Sequence, residues 1–281
     1  MELKFTKMHG IGNDYIYFNC LEKELDDPNG LSMAMSPRHF SVGADGIVMI
    51  CHSDIADAKM RMFNLDGSEG KMCGNAIRCV GKYLYDNKLN EKTNLSIETL
   101  SGTKYLTLNV VNNKVASVMV DMGTATLEPK EVPVIANEKM ISTPVMVKGK
   151  EYKMTAVSVG NPHSIIFVDD VDSLELDKIG SDFENLAIFP ERVNTEFVRV
   201  IDRQNLQMRV WERGSGETYA CGTGSCATVV AAVVNGYCDY DTPVIVHLIG
   251  GNLKITVTKD LHMFMEGTAT KVYEGVYNYE Y

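Results

Sequence analysis

Two cysteines in this sequence, Cys73 and Cys221, are each followed by a glycine and then by a segment with the pattern of a helix. After Cys73, the apolar residues Ile77, Val80 and Leu84 recur at helical spacing. The first N–H groups of a helix lack backbone partners and the helix dipole is positive there, so this position stabilises both thiolates and carboxylates. It can also bring a thiol pKa from about 8.5 towards neutrality. The sequence therefore predicts two activated thiols, each beside a carboxylate site.

The segments around the two cysteines are copies of one another. Residues 60–75 align with residues 208–223 at a constant offset of 148 positions, with identical Met, Arg, Glu, Cys and Gly at five of them. The same offset pairs Gly12-Asn13 with Gly160-Asn161. Repetition at one offset indicates a duplicated domain. If the halves face one another, one thiol removes a proton from a carbon and the other returns a proton to its opposite face.

The remaining patterns predict strands around two central helices. Residues 46–51 form a short apolar strand, and residues 106–120 and 244–257 alternate around turn residues as hairpins do. The run from Ala227 to Val234 has almost no polar face, is too short to span a bilayer and ends at Asn235-Gly236. We therefore expect an α+β fold of two pseudo-symmetric halves, each a curled, mostly antiparallel sheet wrapped around a central helix.

The composition excludes several classes of function. The chain has 281 residues, a formal net charge of -10 and a pI near 5.1, which disfavour nucleic acid as a partner. We find neither a signal peptide nor an apolar run long enough for a membrane span, so we expect a cytoplasmic protein without membrane contact. The seven cysteines are odd in number, and no Cys-x-x-Cys or His-Glu-x-x-His motif occurs, which disfavours a disulfide framework and a zinc site.

Several motifs together resemble the diaminopimelate epimerase family, and the resemblance extends from residue 3 to about residue 275. The motifs are residues 9–14 (HGIGND), 63–69 (FNLDGSE), 72–79 (MCGNAIRC), 160–163 (GNPH) and 212–224 (ERGSGETYACGTG). The resemblance implies an isomerase that converts LL-2,6-diaminopimelate to meso-diaminopimelate without pyridoxal phosphate, metal or any other cofactor. It implies a homodimer that serves lysine and peptidoglycan-precursor synthesis.

The resemblance also implies a division of the chain and a set of site residues. Residues 1–122 with 268–281 would carry Cys73, residues 123–267 would carry Cys221, and the substrate would lie in the cleft between the halves. Cys73 and Cys221 would be the acid/base pair. The substrate-binding residues would be Asn13, Asn64, Gly74, Asn75, Asn161, Asn194, Glu212, Arg213, Gly222 and Thr223, and His163 would tune a thiol.

Two positions depart from the family pattern. Gly46 lies where some members have a substrate-contacting Gln, and Tyr15 stands where Phe is common. We interpret Glu69 and Glu217 as caps for backbone N–H groups, and the other five cysteines as core residues. These are Cys20, Cys51, Cys79, Cys226 and Cys238.

Two alternatives remain at this point. A racemase of the same fold could act on another amino acid, such as histidine or glutamate. A thiol redox or binding protein could instead join Cys73 and Cys221 in a reversible disulfide. Arg213 and the asparagines suit the second amino-acid head group of diaminopimelate, which favours the epimerase, and loss of deuterium from Cα during turnover would exclude the redox protein.

Overall fold

The computed structural model describes residues 2–280, which form eighteen strands and four helices. The strands are β1 (Glu2–Gly10), β2 (Asn13–Cys20), β3 (Gly46–Cys51), β4 (Ala58–Asn64), β5 (Glu69–Gly70), β6 (Asn94–Glu98), β7 (Lys104–Val111), β8 (Lys114–Thr124), β9 (Thr143–Val147), β10 (Lys150–Ser158), β11 (Pro162–Phe167), β12 (Asn194–Asp202), β13 (Asn205–Glu212), β14 (Gly216–Thr218), β15 (Val244–Leu248), β16 (Gly251–Val257), β17 (His262–Gly267) and β18 (Thr270–Asn278). The helices are α1 (Pro28–Met35), α2 (Gly74–Asp86), α3 (Leu176–Glu184) and α4 (Gly222–Val234). None of these helices is long and apolar enough to cross a membrane.

The chain divides into two compact units. The first unit contains the residues up to Asp121 together with those from Glu266 onward, and the second unit is Met122–Met265. Within the first unit, β1, β2, β3, β4, β6 and β7 pair in the order antiparallel, parallel, antiparallel, parallel, antiparallel. Within the second unit, β10, β11, β12, β13, β15 and β16 pair in the same order. The repeat in sequence is thus a repeat of strand topology.

Each unit packs one long helix against its strands. Helix α2 contacts β1, β2 and β7, and α4 contacts β10, β11, β12, β15 and β16. All but two residues of α4 are buried, including Ser225 and Thr228. Burial of a valine side chain contributes roughly 1.5–3 kcal/mol, so the three buried valines Val229, Val230 and Val233 hold α4 firmly against the sheet. The buried helix predicted from residues 227–234 is confirmed, and so is the α+β fold.

The predicted turns and strands are also present. The strand at residues 46–51 is β3, and the two predicted hairpins are β7–β8 and β15–β16. Asn112 and Asn113 have φ of 50° and 58°, the left-handed values that a two-residue hairpin turn requires. The other five cysteines are buried, in agreement with their interpretation as core residues.

A separate apolar cluster in the second unit fixes helix α3. Phe183 of α3 is edge-on to both Tyr152 and Phe197, with ring centroids 5.0 and 5.1 Å away. Gly180 faces Trp211 so closely that an added Cβ would lie 2.1 Å from the indole. The last residue of α3, Glu184, is thereby held beside the end of β13.

Candidate active site

Cys73 is the N-cap residue of helix α2. Its backbone is extended, with φ of -132° and ψ of 119°, and its sulfur accepts a hydrogen bond from the N–H of Ala76 at 3.5 Å. The thiol donates to Oδ1 of Asn13 at 3.3 Å. The Cys73 side chain is half-buried. The sulfur therefore meets a backbone donor on one side and a carbonyl acceptor on another.

Asn13 is held in one orientation by acidic and basic side chains. Its amide nitrogen donates to Oδ2 of Asp45 at 2.8 Å, so its carbonyl oxygen is the atom presented to Cys73. Asp45 also accepts from Arg38, which binds Asp14 in turn, and Asp14 pairs with Lys7. Burial and the charge of Asp14 raise the pKa of Asp45. Burial acts to raise the pKa of Asp14 too, but hydrogen bonds from Arg38 and Lys7 outweigh it and lower that pKa.

Cys221 is the N-cap residue of helix α4 and is 5% exposed. Its sulfur accepts from the N–H of Gly224 at 3.3 Å and lies 3.6 Å from Oγ1 of Thr223. Burial raises the Cys221 pKa well above its ordinary value, and the charges of Glu212 and Glu196 raise it further. Hydrogen bonds to Thr223 and Gly224 act in the opposite direction. A Cys221 thiolate therefore depends on the donors around it.

His163 lies in a polar chain that leads to Cys221. Its Nδ1 is 2.7 Å from Oε1 of Glu196, and its Nε2 is 3.1 Å from Oδ1 of Asn161. The amide nitrogen of Asn161 donates to Oγ1 of Thr223 at 3.5 Å. Both His163 and Glu196 have fully buried side chains. His163 is thus connected to the thiol through Asn161 and Thr223.

Asn194, Glu212 and Arg213 lie together in the second unit. Oδ1 of Asn194 accepts from the backbone N–H of Arg213 at 2.9 Å, and Glu212 accepts from the hydroxyl of Thr218. Arg213 follows the end of β13, where its side chain is only half-buried, and its Nη1 donates to the carbonyl of Glu191 at 3.0 Å.

Asn64 and Gly46 are paired residues on β4 and β3 of the first unit. The Asn64 amide donates to Oγ of Ser68 at 3.0 Å. Gly46 has φ of 155°, and an added Cβ would lie 2.0 Å from the carbonyl oxygen of Phe63. No side chain fits at position 46 in this backbone conformation, which accounts for the glycine there.

The residues after each cysteine begin the helices. Gly74 and Asn75 occupy the first positions of α2 and are buried, and Gly222 and Thr223 occupy those of α4. Backbone N–H groups at these positions have no partner within the helix. Each unit therefore places a thiol next to N–H groups that can bind a carboxylate or an enediolate oxygen.

Glu69 and Glu217 do not cap backbone groups, so that interpretation is wrong. Glu69 accepts from Nε and Nη2 of Arg61, and Glu217 accepts from Nε and Nη2 of Arg209 in the same way. Each pair joins adjacent antiparallel strands, where a bidentate arginine is a better donor than a backbone amide. The pairs repeat at the offset of 148 positions and support the strands that precede Cys73 and Cys221.

The sequence patterns above do not identify two functional candidates, Asp45 and Glu196. Asp45 lies directly before the strand at residues 46–51. Glu196 lies within a buried strand, where Thr195, Phe197 and Val198 are its neighbours. A carboxylate inside an apolar strand is the signal that could have identified it, since such a group is rarely buried without a partner.

Comparison with known proteins gives the family. The family model described as diaminopimelate epimerase matches residues 5–128 and 155–272. A diaminopimelate epimerase from Agathobacter rectalis is 52% identical, over 97% of this chain and 98% of its own. One from Methanococcus maripaludis is 50% identical, over 97% and 99%.

Solved structures of lower identity share the fold. A phenazine biosynthesis protein of the PhzF family from Bacillus anthracis has a TM-score of 0.73 at 17% identity, covering 99% of this chain and 100% of its own. A hydroxyproline epimerase from Agrobacterium vitis has a TM-score of 0.70 at 12% identity, covering 98% and 91%. Because the chain is 50–52% identical to these two relatives over nearly their full length, it belongs to the diaminopimelate epimerase family.

Proposed function

We propose that this protein is an isomerase that converts LL-2,6-diaminopimelate to meso-diaminopimelate with two cysteines and no pyridoxal phosphate. The observation that carries the proposal is the duplicated helix start, at which Cys73 and Cys221 each cap a helix and accept from its N–H groups. The names of relatives about 50% identical over nearly their full length support the substrate.

In the proposed mechanism, one cysteine acts as a thiolate and the other as a thiol. The thiolate takes the proton from the α-carbon, and the electron pair left behind is delocalised into the carboxylate as an enediolate. The N–H groups that begin α2 and α4 stabilise the developing negative charge. The thiol then donates its proton to the opposite face of the carbon, which inverts the centre. The thiolate and thiol have exchanged roles, and no oxidant or cofactor is consumed.

We assign the polar side chains around the two thiols to the rest of the substrate. A second carboxylate and ammonium group would engage Asn64, Asn161, Asn194, Glu212 and Arg213. Arg213 supplies positive charge, and Glu212 supplies negative charge for an ammonium group. Asn13 contacts the Cys73 thiol itself, so its role is to hold the reacting end. A site built for two head groups would require the L configuration at the distal centre.

We further propose a cytoplasmic homodimer that serves lysine and peptidoglycan-precursor synthesis. The support for a second copy is the pair of exposed valines in β18, Val272 and Val276, which are 54% and 56% exposed. Contiguous exposed apolar surface marks sites of protein–protein contact. Sedimentation of the purified protein would measure its mass in solution, and a monomer at all concentrations would contradict the dimer.

Solvent deuterium incorporation tests the activity. Purified, reduced protein is incubated in D₂O with LL-diaminopimelate, histidine or glutamate, and deuterium at Cα is measured by mass spectrometry. We expect incorporation and inversion with diaminopimelate alone. Turnover of histidine or glutamate at a comparable rate would indicate the alternative racemase. If no amino acid undergoes exchange, the alternative function as a thiol redox protein is favoured. A disulfide between Cys73 and Cys221 in the oxidised protein would then support that function.

A further inference from the structure

The two units hold their equivalent asparagines in opposite orientations. In the first unit, Asn13 donates its amide N–H to Asp45 and accepts from the Cys73 thiol through Oδ1. In the second unit, Asn161 turns its Oδ1 to His163 and its amide N–H to Thr223. The first arrangement presents an acceptor to the thiol, whereas the second directs a donor towards it.

Three positions that differ together between the units account for the arrangement in the second unit. At the offset of 148 positions, His163 replaces Tyr15, Glu196 replaces Val48 and Gly224 replaces Ala76. The glycine is required by the carboxylate, because a Cβ at Gly224 would lie 2.5 Å from Oε1 of Glu196. The second unit thus has space for a buried carboxylate directly under the start of α4, and it contains one.

The hydrogen bonds of His163 determine how many protons the pair holds. Since Oδ1 of Asn161 is an acceptor only, Nε2 of His163 must carry a proton. A second proton lies in the 2.7 Å contact between Nδ1 and Oε1 of Glu196. The pair is therefore neutral overall, whichever partner holds that second proton. Oε2 of Glu196 is buried with no hydrogen-bond partner among residues 2–280, which a neutral pair tolerates better than one with a net charge.

The shared proton determines which group donates and which accepts in each hydrogen bond between His163 and Cys221. With Nε2 protonated, Asn161 keeps its N–H groups for Thr223, and the hydroxyl proton of Thr223 is free to point at the Cys221 sulfur 3.6 Å away. If the pair lost a proton, Nε2 would become an acceptor and the Asn161 amide would turn over. Thr223 would then donate to Asn161 and accept from the thiol, so the thiolate would lose a donor.

We propose that Glu196 is a positioning residue that shares a proton with His163 and thereby keeps Asn161 and Thr223 oriented as donors to Cys221. The proposal rests on the proposed role of Cys221 as an acid/base group. It makes the two thiols unequal, because Asp45 imposes the opposite orientation on Asn13. The carboxyl groups that act most strongly on the Cys221 sulfur are those of Glu212 and Glu196, and the donor chain offsets part of their effect.

Two substitutions distinguish an effect of Glu196 on the orientation of the donors from a direct effect of its charge on the Cys221 pKa. Glu196→Gln keeps the shape and can donate to Nδ1, so the ring retains its proton on Nε2. Glu196→Leu keeps the approximate volume but offers Nδ1 no donor, so the ring proton is free to move from Nε2 to Nδ1 and the Asn161 amide is free to turn over. The pKa of each thiol is measured in the free protein from the pH dependence of iodoacetamide alkylation, with the cysteine peptides separated by mass spectrometry. This measurement needs no substrate, so its result is independent of whether the protein acts on diaminopimelate.

We expect the Cys221 pKa to be nearly unchanged in Glu196→Gln and about one pH unit higher in Glu196→Leu, with Cys73 unaffected in both. The matched control, Asp45→Asn, should lower the pKa of Cys73 and leave that of Cys221 unchanged. Epimerisation by Glu196→Leu should fall about tenfold near neutral pH and recover at higher pH, where Cys221 ionises again. A lower Cys221 pKa in both Glu196 variants would overturn the proposal, because removing a nearby anion would then explain the effect.

A spectroscopic measurement covers the case in which Glu196→Leu does not fold. The ¹⁵N resonances of the His163 ring report which nitrogen carries a proton, and they are assigned by their loss in His163→Gln. We expect Nε2 to be protonated at neutral pH in both the wild-type protein and Glu196→Gln. An unprotonated Nε2 in the wild-type protein would refute the proposed donor chain regardless of the kinetic results.

Discussion

Replacement of Glu184 by Gln should destabilise the second unit and weaken substrate binding through Arg213. Three donors converge on the Glu184 carboxylate, whose side chain is 9% exposed. Oε1 accepts from Nη1 of Arg192 at 2.9 Å and from the N–H of Gly214 at 3.0 Å, and Oε2 accepts from Nε1 of Trp211 at 2.8 Å. These contacts join helix α3 to both sides of the turn that carries Arg213.

The expected loss follows from the number of acceptors that remain. Gln has one carbonyl oxygen, which can keep Arg192 and Gly214, but its amide N–H groups then face the indole N–H of Trp211. One hydrogen bond to a charged acceptor is lost, at about 1.5–3 kcal/mol. The ion pair with Arg192, whose side chain is 55% exposed, adds no more than about 1 kcal/mol. We expect the free energy of unfolding to fall by about 2–3 kcal/mol.

Urea denaturation and steady-state kinetics provide the measurements. Trp211→Phe is the matched control, because it removes the indole N–H and leaves an aromatic ring over Gly180. In Glu184→Gln, the new amide N–H faces the indole N–H of Trp211, and the double variant removes this clash of two donors. The double variant should therefore be about 1 kcal/mol more stable than the sum of the single effects predicts. Glu184→Gln should raise KM more than it lowers kcat, since the turn carries Arg213, for which we propose a role in substrate binding. Additive effects on stability together with an unchanged KM would refute this reasoning.

Three other predictions concern the thiols, the distal end of the substrate and the acid stability. Cys73→Ala and Cys221→Ala should each abolish epimerisation in a folded protein, as followed by deuterium exchange and circular dichroism, whereas chelators and carbonyl reagents should leave the wild-type activity intact. Arg213→Met should lower kcat/KM for diaminopimelate by about 10²–10³-fold without a change in thermal stability, because charge pairing with a bound group is worth several kcal/mol. Burial acts to raise the pKa of Asp57, but hydrogen bonds from Lys92 and Ser96 outweigh it and lower the pKa to about 2. This stabilisation is complete above pH ~4 and is lost as the pH falls towards 2, so Asp57→Asn should remove about 1–2 kcal/mol of stability in urea titrations at pH 5 and almost none at pH 2.

The fold could be predicted because its signals are local and repeated. The strand at residues 46–51, the Asn112-Asn113 hairpin and the apolar helix after Cys221 each follow from a short stretch of sequence. The repeat then joins these local signals, since one offset relates two sets of strands that pair in the same order. Few competing topologies satisfy both the local patterns and the repeat.

The surroundings of the thiols could not be predicted in the same way. Asp45 reaches Asn13 and Glu196 reaches His163 across 32 and 33 residues, respectively, and no local pattern links them. The exposure of the Arg213 side chain could not be predicted either, because it depends on the turn after β13, which only the folded chain defines. Glu69 and Glu217 each precede a helix, so a backbone N–H group was a plausible partner. The antiparallel pairing of the strands instead places an arginine beside each carboxylate.

The repeat also conceals where the two units differ chemically. Gly46 of the first unit corresponds to Asn194 of the second, and the first has no room for a Cβ whereas the second accepts a hydrogen bond from Arg213. A two-base inversion uses one thiolate and one thiol at the same moment, and the residues nearest each sulfur influence which form each thiol adopts. These residues differ between the units, with Asp45 acting on Asn13 in the first and the His163–Glu196 pair acting on Asn161 in the second.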